Sequence, residues 1–156
     1  MQVTPISAPP RPEPSVGRAA RLLGAAGLLP QFAALVLQAQ NPGGEAGRIL
    51  AFGYASLILS FLGGIWWGFA MRRRDRQRVL AIVAVVPSLV PVALAPAIVY
   101  LGWRWGLVGL AVALMLTLVV DRRLVERGDA PDGWMGLRVP LSGGLALLTL
   151  IAGVMR

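Results

Sequence analysis

Residues Ile49–Arg78 read ILAFGYASLILSFLGGIWWGFAMRRRDRQR. From Ile49 to Met71 there is no Asp, Glu, Lys, Arg or His, and then five arginines and one aspartate fall between positions 72 and 78. About 20 apolar residues, rising about 1.5 Å each, carry a helix across a hydrocarbon core of about 30 Å. The stretch is therefore a membrane crossing that stops in a basic collar. Backbone groups cannot go unpaired in lipid, so a crossing is a helix or a strand of a closed barrel. Barrel strands need only about ten residues and alternate strictly in polarity. This run is twice as long and does not alternate, so it is helical.

Four further stretches of the same kind lie outward from it. One precedes it, Ala19–Ala39, and three follow: Val79–Leu101, Trp105–Val120 and Val139–Met155. The expected fold is all-α, a polytopic bundle of five transmembrane helices over residues 19–156. A cleaved signal peptide is the rival reading of the first stretch, but it is long for an apolar signal core and follows a polar tail. That tail, residues 1–18, holds Pro5, Pro9, Pro10, Pro12 and Pro14. Proline blocks helix interiors, and the tail is expected to be disordered and cytosolic.

Composition agrees. Only 14% of the 156 residues are charged and 56% are hydrophobic, whereas a soluble domain carries roughly 25% charged residues. Lipid solvates the remaining surface. The formal charge of +8 comes from 15 basic residues, all arginine, set between or beside the apolar stretches. That placement argues against nucleic acid, which needs a basic face on a water-exposed module. It also sets orientation, because basic residues accumulate on the cytoplasmic side. With the N-terminus inside, the inner segments hold 12 arginines and the outer ones only Arg48, Arg104 and Arg156. A cytoplasmic N-terminus and a C-terminus on the opposite side of the membrane follow as expectations.

Chemistry-bearing residues are scarce. The chain has no cysteine, histidine or lysine. Thiolate and imidazole metal sites, haem attachment and a base for intramembrane serine hydrolysis lack their usual groups. The reading places every acid outside the spans, with Asp121 nearest, at the end of the fourth. Intramembrane ionisable groups mark proton and ion pathways, so an ion-coupled transporter is disfavoured. No catalytic, cofactor or metal site is expected.

Three packing features remain. Ser56, Ser60, Gly64 and Gly68 recur every four residues, a small-residue stripe of the kind that lets helices approach closely. The plain reading is packing within the bundle, with self-association as the alternative. Trp66 and Trp67 point about 100° apart on a helix, so one can face the bundle while the other anchors at the interface. Pro87, Pro91 and Pro96 kink the third span, or break it as in transporter binding sites. Arg72, Arg73, Arg74, Arg76 and Arg78 are a topology signal. They are also candidates for contact with anionic lipid, at about 1 kcal/mol each.

The run Gly53–Gly68, together with Val120-Asp121-Arg122-Arg123-Leu124 and Pro131–Arg138 leading into Pro140-Leu141, resembles the transmembrane protein 69-like family, small membrane proteins of bacteria and mitochondria with a domain of unknown function. The similarity extends from about Leu22 to the C-terminus. Members often carry histidine where this chain has Trp66. The resemblance implies a small multi-helix protein of a bacterial inner membrane, which with the expected orientation puts the C-terminus in the periplasm, and it supplies no reaction. The expected role is non-enzymatic: a structural or accessory protein in contact with the lipid bilayer and with a membrane-protein partner. A small transporter or channel using the proline-rich third span is the alternative.

Overall fold

A computed structural model of the chain describes residues 17–73 and 75–155. All but the last two positions of the proline-rich tail lie outside those residues, as does Arg74. Among the described residues six helices follow one another: α1 (Arg18–Ala26), α2 (Leu29–Gln40), α3 (Ala46–Arg72), α4 (Gln77–Leu101), α5 (Trp103–Glu126) and α6 (Trp134–Val154). There is no β-strand among the described residues. With α1 and α2 taken as one crossing, five segments are long and apolar enough to span a membrane. The chain is an all-helical, multi-pass membrane protein.

The first crossing is interrupted at Gly27-Leu28, just before Pro30. Proline has no N–H to donate and its ring crowds the carbonyl four residues back. The carbonyl of Gly27 accepts the Tyr54 hydroxyl of α3. The loosened turn is thus tied to the next crossing.

In α4, by contrast, Pro87, Pro91 and Pro96 sit within one continuous helix. The break weighed as the alternative to plain kinks does not occur there. Pro87 is buried against α3, and neighbouring helices commonly shelter the carbonyls that proline leaves free.

Short links make sequential crossings antiparallel neighbours. A single glycine, Gly102 at φ 89°, separates α4 from α5. That backbone region is open to glycine at little cost. α3 packs against α2, α4, α5 and α6, while α6 lies chiefly on α5 and also meets α1 and α2. The central core joins Ala55, Leu59 and Leu62 of α3 to Leu110 and Leu114 of α5 and Leu145 of α6. Many large apolar side chains face outward, among them Leu57, Phe61, Ile82, Val92, Leu116 and Leu147. Such a surface suits lipid.

The two ends of the bundle differ. The α3–α4 and α5–α6 links meet at one end, where the Arg73 guanidinium pairs with Asp129. At the other end Trp103 Nε1 donates to Glu45 across 2.9 Å, joining the α4–α5 and α2–α3 links. The arginine-bearing segments therefore gather at one end, as the alternation of five crossings requires.

Two helix boundaries depart furthest from the sequence reading. α5 continues past Val120 to Glu126, and α6 begins at Trp134 instead of Val139. Much of the segment read as a polar link, Asp121–Arg138, is helix.

Candidate functional site

Those two extensions create the most polar part of the interior. Thr117 and Asp121 are four residues apart on α5, and Trp134 and Arg138 four apart on α6, so each pair shares a helix face. The faces meet. Asp121 is 0% exposed and Arg138 is 5% exposed. Arg138 Nε donates to Asp121 Oδ2 at 2.8 Å. Asp121 Oδ1 accepts from Trp66 Nε1 of α3 at 2.9 Å and from Trp134 Nε1 at 3.2 Å. Arg138 also reaches Thr117 Oγ1 at 3.4 Å, and that hydroxyl donates to the Leu114 carbonyl at 2.6 Å. The guanidinium carbon lies 5.9 Å from the centre of the Trp134 ring, within cation–π range. Phe69 meets Trp134 edge-on at 5.8 Å.

One carboxylate thus gathers three donors from two other helices, and α3, α5 and α6 are fastened at one point. Both carboxylate oxygens are occupied. Left alone, either charge would be very unfavourable in this setting; removing one partner of a buried pair typically costs about 3–5 kcal/mol.

A second polar seam is neutral. Gln31 and Gln38, seven residues apart on α2, are both buried. Gln31 Nε2 donates to Thr149 Oγ1 at 2.9 Å. Gln38 Nε2 donates to the carbonyls of Ala152 and Met155 at 3.1 and 3.2 Å. Together they clip the first crossing to the last.

The expected stripe is placed differently from its plain reading. Ser56 and Ser60 are half-buried, and the Ser56 hydroxyl donates to the Phe52 carbonyl at 2.6 Å. Gly64 and Gly68 are exposed, and a Cβ on either would meet nothing within 4 Å. Packing within the bundle therefore does not account for these two glycines. The reason is geometric: the stripe stands one residue, about 100°, around the helix from the buried line. The buried line runs instead through Ala51, Ala55, Leu59, Gly63 and Trp66. Gly63 makes the close approach, because a Cβ there would collide with the Ala84 carbonyl of α4.

Trp66 is 2% exposed while Trp67 is 46% exposed, so the two indoles divide between bundle and surroundings. Of the arginine cluster, Arg72, Arg76 and Arg78 are exposed and Arg73 is half-buried in its pair with Asp129. Arg74 lies outside the described residues. Among the described residues no three Asp or Glu side chains gather as a metal site would need.

The fold and its joint define a small multi-pass helical membrane protein with a buried ion pair near one end. Residues 16–155 match a family described as a protein of unknown function, DUF3429, and the chain belongs to that family. No curated protein and no solved structure matches the chain.

Proposed function

We propose that the chain is a non-enzymatic accessory protein of a bacterial inner membrane, with its N-terminus in the cytoplasm and its C-terminus in the periplasm. In this reading it works by presenting a rigid apolar exterior to a membrane-protein partner. The observation that carries the proposal is the engagement of the Asp121 carboxylate. Its oxygens are held by Arg138, Trp66 and Trp134, so the most chemically capable group of the interior serves the joint between helices. The resemblance to the transmembrane protein 69-like family belongs to the same proposal. The gathering of arginines at one end supports the orientation, since basic residues favour the cytoplasmic side. The transporter alternative gains no support from α4, which runs unbroken.

Purification from the native membrane in mild detergent tests the role. The expected result is a membrane-protein partner at a fixed ratio. Recovery of the chain alone, together with substrate turnover abolished by Asp121→Asn, would replace this reading with a catalytic one. Reporter fusions test the orientation: one after Arg156 should report the periplasm and one within residues 73–76 the cytoplasm. Both on one side would contradict five crossings.

A further inference from the structure

α4 and α5 present facing stripes whose character changes along their length. On α4 the stripe leads from Arg76, at the start of the helix, through Val79 and Val83 to Val86 and Val90. On α5 it leads from Arg127 and Arg123 through Val120 to Leu116 and Ala113. Between them lies a groove in two connected parts. The outer part, about 380 Å³, has Arg73, Arg76, Arg123 and Arg127 around an apolar floor. The inner part, about 190 Å³, is lined almost wholly by apolar side chains. Val83 and Val120 border both.

Arg73 is engaged with Asp129. The guanidinium groups of Arg76, Arg123 and Arg127 have no ion-pair or hydrogen-bond partner among the described residues. Asp75 and Asp129 stand at the outer rim beside Arg73, Arg76 and Arg127, and no acid lines the groove itself. From Arg123 to Ala113 is ten residues, or about 15 Å of helix, which is about half the hydrocarbon thickness of a bilayer.

We propose that this α4–α5 groove binds one anionic phospholipid, its phosphate held by Arg76, Arg123 and Arg127 and one acyl chain lying in the trench toward Val90 and Ala113. Charge complementarity selects the occupant. Three guanidinium groups without a partner among the described residues line one mouth, and arginine presents a fork of donors suited to phosphate oxygens. The apolar continuation fits the chain that a free phosphate lacks. The site differs from a diffuse basic collar in using Arg123 and Arg127, which are remote in sequence from the Arg72–Arg78 cluster. It does not depend on the accessory role proposed above.

Native mass spectrometry of the detergent-purified full chain, incubated with equal amounts of dioleoyl phosphatidylglycerol and dioleoyl phosphatidylcholine, tests it. The parent should retain one phosphatidylglycerol, with a preference of about tenfold or more, because both headgroups carry a phosphate but only phosphatidylcholine brings a choline cation against the arginines. Arg123→Gln with Arg127→Gln should lower that retention about tenfold. The charge-matched pair Arg72→Gln with Arg78→Gln, outside the groove, should change it less than about threefold. Val86→Trp, which blocks the trench at a half-exposed position and spares every arginine, should also lower retention. Three results each overturn the proposal: no preference in the parent, equal losses from the two arginine pairs, or unchanged retention in Val86→Trp.

Discussion

The two polar seams of this bundle solve the same problem with different chemistry. Near the arginine-rich end, α3, α5 and α6 are joined by a charged pair with indole donors around it. Along α2, the first crossing is joined to α6 by neutral amides. A buried carboxylate can serve as a joint here because a guanidinium and two indoles stand in for its water. The glutamines need less. An amide burial is a modest penalty, while an unpaired ion is a severe one. Charge thus makes the stronger and more brittle joint, and neutral amides the weaker and more forgiving one.

The difference predicts an order of effects, measurable as detergent unfolding free energies. Arg138→Met leaves Asp121 buried without its cation and should destabilise by about 3–5 kcal/mol. Gly63→Leu forces α3 away from the Ala84 carbonyl and should cost about 1–3 kcal/mol or more, whereas Gly64→Leu, on the exposed face, should stay within about 0.5 kcal/mol. Gln31→Leu removes the bond to Thr149 and should cost about 0.6–1.7 kcal/mol, the range of hydrogen bonds between membrane helices. A Gln31→Leu loss as large as that of Arg138→Met would erase the distinction between the seams. A mild Gly63→Leu would move the close contact elsewhere on α3.

The five crossings were legible because length and polarity alone specify them. What the sequence hid was where the helices end. Asp121, Arg122 and Arg123 in a row look like a solvated collar, and so Asp121 was read as outside the span. In the fold Arg122 turns outward to Glu126 while Asp121 turns inward. The signal that separates them is spacing: Thr117 with Asp121 and Trp134 with Arg138 are matched four-residue pairs, one offering acceptors and the other donors. The small-residue stripe misled for a related reason. Four-residue spacing marks a helix line without saying which line is buried, and the contact with α4 falls on Gly63, one position and about 100° from the striped Gly64. The separate faces of Trp66 and Trp67 were readable from the helix angle, but the partner of Trp66 was not, because it lies 55 positions away.

The claim that Asp121 and Arg138 act together as a structural joint is tested most directly by a double-mutant cycle on unfolding free energy in detergent, using Asp121→Leu, Arg138→Met and both together. Each single change strands one buried polar partner, and the double change strands neither charge. The account predicts that the double variant is more stable than either single one, with a coupling of about 2 kcal/mol or more, as expected when a buried ion pair is replaced as a unit. Additive losses in the double variant would show that the two side chains contribute separately and would contradict the joint.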